Sequence, residues 1–211
     1  MKPIISEIAY HGTTKEYLMA LYTNINFVKL LNSEGRPYSK VFKWLIENDT
    51  QEKEEERRPL SIKEIAAITQ LQPSKVTQHI KDIYNDILLL NVDMPEKFAE
   101  KDSVICNLYF NYLGRRASFS LGLRTIPRKD ESFHFSFINP IMGGDAFYIK
   151  NVDHIISNNR QTVSIRLTHE EPFLYLELLK QKMYLKDWLS YEDYYLPTTE
   201  AIQKELLKTS L

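Results

Sequence analysis

Apolar residues recur along the first ninety positions at helical steps of three and four, then switch after Leu90 to the every-second-residue spacing of strands. Thr13 with Glu16 is a capping box and opens a helix carrying Leu18, Leu21, Ile25 and Val28 on one stripe, which Gly35 should end. Pro37 opens a second helix whose buried side is Val41, Phe42, Trp44, Leu45 and Ile46. The run NDTQEKEEERRP, residues 48–59, carries charge without apolar period and reads as a solvated loop. Ser61 with Glu64 is another capping box, and the helix it starts places Ile62, Ile65 and Ala66 on one face. Pro73 interrupts that helix and restrains Gln72 before it, yet it suits the first turn of a new one. Val76, Ile80, Ile83, Ile87 and Leu90 then form a clean helical stripe.

Beyond a linker at residues 91–102, Leu108, Phe110 and Tyr112 alternate with Asn107, Tyr109 and Asn111. Ala117, Phe119, Leu121 and Leu123 alternate with serines and Gly122, and Gly114-Arg115-Arg116 joins the two runs as an arginine-tipped hairpin. Further strands are expected around Phe133–Phe137, Phe147–Ile149 and Val163–Leu167, with Gly143-Gly144 and Asn158-Asn159 as turns. A strand at Asp153–Ile156 would pair across the Asn-Asn turn. Thr168 with Glu171 caps a helix rich in Leu, Tyr and Trp that runs to about residue 189, and a last helix follows Pro197. The class this predicts is α+β. A helical domain spans residues 1–95, and residues 96–211 form an α+β domain with an antiparallel sheet and two C-terminal helices.

Residues 60–90 resemble the winged helix-turn-helix of bacterial transcription regulators, and the resemblance extends to residues 37–90 when the preceding helix is counted. Ile65-Ala66 fall where that family packs its first helix, with Ala66 at the small-residue position, and Val76 and Ile80 where the recognition helix packs back. Gln70 stands where glycine is common and Gln72 where a serine or threonine N-cap is usual. The resemblance implies that the second helix lies in a DNA major groove. The helix at 37–47 would complete a three-helix core. The hairpin at 103–125 is then either a wing or part of a separate β-rich domain.

Charge refines this picture. The 211-residue chain has net charge -1, so it is no polycation; 43% hydrophobic residues supply an adequate core. Residues 103–129 nevertheless carry Arg115, Arg116, Arg124, Arg128 and Lys129 with no acid, whereas 169–211 carry five lysines against eight acids. The outward N-terminal side of the second helix offers Gln72, Ser74, Lys75, Thr77 and Gln78 to base edges or phosphates, with Lys81 a turn further on for a phosphate. Arg115 and Arg116 at the hairpin tip could reach a phosphate backbone or minor groove. His79 follows Val76 by three and should sit half against the core.

No catalytic reading emerges. His11, His79, His134, His154 and His169 are scattered without metal-ligand spacing, and Cys106 lies on an alternating strand as a packing residue. There is no nucleophile elbow, phosphate loop or dinucleotide fingerprint. No enzyme activity, metal or cofactor is therefore expected. The aromatic group Tyr184, Trp188, Tyr191, Tyr194 and Tyr195 reads as cover for the sheet, or as the lining of a pocket or interface. A single cysteine excludes an internal disulfide and fits a reducing cytoplasm, and no apolar run approaches a membrane span.

The expected function is sequence-specific binding of double-stranded DNA by a transcriptional regulator. Its effector, if any, is unknown. Two alternatives stay open: a replication initiator or mobile-element protein, and a winged-helix module for protein contacts. A homodimer is expected, through the Leu18–Val28 stripe or the helix at Leu174–Leu189.

Overall fold

A computed structural model of the chain describes residues 12–48, 61–112, 114–157, 160–169, 174–186, 188 and 190. Two compact units divide it, residues 1–170 and 171–211. Most of the charge run, the residues that would cap a helix after Thr168, and the helix expected after Pro197 lie outside the described residues. In the second unit one helix, Leu174–Leu185, is described.

The first unit begins with α1 (Thr14–Thr23), whose expected capping box at Thr13 and Glu16 is present. The helix then breaks at Asn24, and α2 (Ile25–Lys29) follows. The break has a local cause. The Asn24 side-chain amide donates to Ala20 O at 2.9 Å and to Ser136 Oγ at 3.1 Å, which competes with continuation of the helix. The expected continuous helix ending at Gly35 is thus two shorter ones. Its stripe is intact: Leu18, Leu21, Ile25 and Val28 are all buried in this chain's own core, which removes them as a dimer interface. α3 (Ser39–Glu47) buries Val41, Trp44 and Leu45. α4 (Ile62–Thr69) carries the Ser61–Glu64 capping box. α5 (Pro73–Asp93) buries Val76, Ile80, Ile83 and Ile87 and continues past Leu90, so much of the expected linker is helix or the 3-10 turn Pro95–Phe98.

Five strands follow: β1 (Val104–Tyr112), β2 (Arg115–Leu123), β3 (Ser132–His134), β4 (Ala146–Ser157) and β5 (Arg160–Thr168), in sheet order β2-β1-β5-β4-β3. The arginine hairpin forms as expected, with Phe110 opposite Ala117 and Tyr112 opposite Arg115. Three expectations are corrected. The sheet is mixed, because β5 lies parallel to β1, with Leu108 opposite Ile165. β3 stops at His134 and the chain turns into a 3-10 segment, Ser136–Ile138, and the short helix α6 (Asn139–Met142). The strands expected at Phe147–Ile149 and Asp153–Ile156 are one long β4, kept continuous by an irregularity between Ile149 and Asn151 that restores the pleat across a broken alternation.

The inward face of the sheet carries Cys106, Leu108, Phe110, Phe119, Phe147, Ile165 and Leu167, all buried. Against it pack the helices, through Phe27 of α2, whose ring meets Phe98, Phe119, Phe135 and Phe137. Tyr84 of α5 stacks on Phe137 at 4.6 Å between centroids and donates its hydroxyl to Phe137 O at 2.8 Å. One buried cluster therefore runs from the helices into the sheet without a gap at residue 95. Where α4 meets α5, Ala66 and Val76 are both buried. Ala66→Leu should overpack this junction and cost ~1–3 kcal/mol, read as a shift of the urea midpoint at unchanged slope.

Candidate nucleic-acid interface

Three residues, Gln70-Leu71-Gln72, join α4 to α5. Gln70 adopts φ 57°, ψ 39°, the left-handed conformation that glycine takes most readily, so this glutamine performs the glycine's turn at some conformational cost. Leu71 N–H donates to Ala66 O at 3.0 Å, which closes α4. Gln72 is extended at φ -69°, ψ 143°, and its side chain makes no capping bond. Pro73 then fixes the first turn of α5. With no side-chain cap, the positive end of α5 is left for an outside acceptor.

α3 packs beside both helices. Its lead-in residue Tyr38 donates its hydroxyl to Asp86 of α5 at 2.6 Å, and Arg36 lies 3.7 Å from the same carboxylate. Burial and the neighbouring Asp86 carboxylate hold the Tyr38 phenol protonated, well above its ordinary pKa.

The expected contact residues fall into three groups. Gln72, Ser74, Lys75 and Gln78 are exposed together on the first turns of α5. Thr77 and Lys81 are half-buried, and the Lys81 ammonium lies over the Tyr17 ring of α1, 5.6 Å from its centroid. Gln78 donates to Asp82 at 2.8 Å, so an acid that spacing alone did not single out sits on the same face. Its position four residues after Gln78 is the signal that was there to read. Arg115 and Arg116 lie on β2, at the tip of the hairpin. β1 is flanked by β5 on its other edge, so the hairpin is part of the sheet, and Arg115 donates to Met142 O of α6 at 2.8 Å. His79 goes further into the core than expected, at 8% exposed, and its Nδ1 finds no hydrogen-bond partner among the described residues.

Cys106 is buried, and desolvation pushes its thiol up to about 11, which leaves little thiolate at neutral pH. Among the described residues no group of three His, Cys, Asp or Glu is placed to hold a metal ion, and no helix is long and apolar enough to cross a membrane. The described residues of 96–169 hold the sheet and α6, with no second copy of the α3–α4–α5 arrangement among them.

Comparison with protein-family models, with curated proteins and with solved structures gives no match to this chain.

Proposed function

We propose that this chain binds double-stranded DNA sequence-specifically, as a transcriptional regulator whose α4–α5 pair acts as a helix-turn-helix with α5 as recognition helix. The observation that carries this reading is the three-residue turn between α4 and α5, which leaves the uncapped N-terminus of α5 and the side chains of Ser74, Lys75 and Gln78 facing solvent together. Polar side chains on the first turns of such a helix reach base edges, and its amide end suits a phosphate. Gln72 and Thr77 flank the contact, and Lys81 serves a phosphate if it leaves Tyr17. Arg115 donates to Met142 O of α6 and Arg116 stands beside it on β2, and the reading does not rest on either.

Selection of genomic fragments by the purified protein supplies the site, and fluorescence anisotropy on the enriched duplex supplies the affinity. Lys75→Ala with Gln78→Ala should weaken binding to that duplex by ~1–3 kcal/mol per lost base contact while leaving unrelated duplex less affected. Lys75→Ala alone should flatten the salt slope by about 0.9 if it meets one phosphate. A selection that enriches nothing over input would sink the proposal and favour a protein-binding module, a reading to which the Gln78–Asp82 pairing lends some weight.

A further inference from the structure

We propose that the open edge of β4 is a self-association surface, on which a second copy of this chain adds its own β4 antiparallel across a two-fold axis, independently of the α4–α5 pair. β4 has β5 beside it along its length, but its other side is covered only at its start. There β3 pairs with Ala146, Phe147 and Tyr148, and Ile149 exchanges backbone bonds with Asp130 and Glu131. Over 151–157 the backbone on that side meets no partner among the described residues. The two outermost strands are better guarded. β3 is three residues long, and on β2 Asn91 bonds both backbone groups of Ser120.

An edge of this kind accepts an extended strand, and a second copy of β4 matches it best. Edges are ordinarily defended by lysine, proline or a bulge. Here Lys150 and the irregularity beside it lie before the open stretch, which contains neither lysine nor proline. The one acid in the stretch, Asp153, is held within its own sheet by Arg166 at 3.3 Å and by the Asn151 amide at 2.7 Å. Nothing there selects a foreign acidic or basic peptide. Ile155 and Ile156, on opposite faces, are instead 51% and 77% exposed. The midpoint of 151–157 is His154, so full antiparallel overlap with a copy places His154 on the axis. Val152 then lies opposite Ile156 of the copy, and Asp153 opposite its Ile155. Centring the pair on Asp153 would set two carboxylates face to face, which disfavours that register. Because the same edge serves both copies, pairing uses up both open edges and stops at a dimer. The stretch is well short of the ~20–30 residues a side of a standard interface, so the dimer is weak and concentration-dependent.

Sedimentation velocity of the full chain from about 1 to 500 μM should show monomer passing to dimer and nothing larger. Ile156→Lys, at a position exposed enough to leave the fold intact, should raise the dissociation constant about tenfold or more. His154→Cys tests the register. Across the axis the two Cα atoms would lie about 4.5–5.5 Å apart, within disulfide range, so mild oxidation should give a covalent dimer. Ile156→Cys should not, because Ile156 of the copy lies about 14 Å along the strand. Native Cys106 is buried and does not compete. Monomer at every concentration overturns the proposal and leaves the edge to a foreign strand. It is equally overturned if Ile156→Lys dimerises like wild type, or if Ile156→Cys links more readily than His154→Cys. None of these measurements involves DNA, so a failure here leaves the α4–α5 reading standing.

Discussion

Asn91→Ala should lose roughly 2–5 kcal/mol of stability, more than any polar substitution on the surface of this chain. β2 is an edge strand, and the outer side of its backbone at Ser120 would otherwise lie bare beneath α5. The buried Asn91 side chain meets both groups there. Its amide donates to Ser120 O at 2.7 Å, and its carbonyl accepts from Ser120 N–H at 2.8 Å, as a neighbouring strand would. Alanine leaves a buried donor and a buried acceptor without partners, each worth about 1–3 kcal/mol. Asn91→Asp sharpens the test, because an ionised carboxylate still accepts from Ser120 N–H but repels Ser120 O. Protonation restores a donor, so the new carboxyl should have its folded-state pKa raised above the unfolded value. Stability relative to wild type at the same pH should therefore be greatest in acid and fall as pH rises through that pKa. Urea melts of both variants at about pH 4 and pH 7 decide it; an alanine variant within about 0.5 kcal/mol of wild type would show that the edge is satisfied some other way.

Gly122 is the second position where a small change should have a large effect. A Cβ there would press into the Ala99 backbone and the Ser103 hydroxyl, where the chain crosses the end of β2 on its way from the 3-10 turn into β1. Backbone cannot rotate away as a flexible side chain does, so Gly122→Ala should cost about 3 kcal/mol and Gly122→Val more. Gly35→Ala is the control. Its Cβ would meet nothing within 4 Å, and only the positive φ of 71° penalises it, by about 1–2 kcal/mol. Thermal denaturation should show Gly122→Val as the least stable, then Gly122→Ala, then Gly35→Ala. A Gly35 variant as damaged as the Gly122 variants would show that backbone conformation, not the close approach, dominates.

The elements that were readable in the sequence are those specified within a few residues. Capping boxes at Thr13 and Ser61, the proline at position 73 and the apolar stripe from Val76 onward each act inside one or two turns, and each has its helix start or buried face in the structure. The β1–β2 hairpin is equally local. What escaped depends on partners distant in the chain. Alternation tells which face of β5 is buried but not which strand lies beside it, so the parallel pairing with β1 left no local trace. The irregularity after Ile149 hid the continuity of β4, because it breaks the very alternation by which a strand is recognised. Asn91 falls within the expected linker, although it follows Ile87 by four and so extends the buried face of α5; a polar residue in that position is the available sign of a buried bond. On the candidate interface, the exposed group Ser74, Lys75 and Gln78 was legible from helical period, while the engagement of Lys81 by Tyr17 and of Arg115 by Met142 required the tertiary fold.

The parallel contact between β1 and β5 also governs the order in which this chain can assemble. The two antiparallel hairpins, β1–β2 and β4–β5, close over short loops and can form as soon as each is synthesised. Joining them brings Cys106 beside Val163, and this step must wait for the whole intervening segment and for the slower closure of a long loop. Until β5 arrives, the inner edge of β1 is a row of open backbone groups next to the apolar face formed by Cys106, Leu108 and Phe110. A nascent chain that has not reached Arg160 therefore carries an open edge on what becomes an interior strand of the finished sheet.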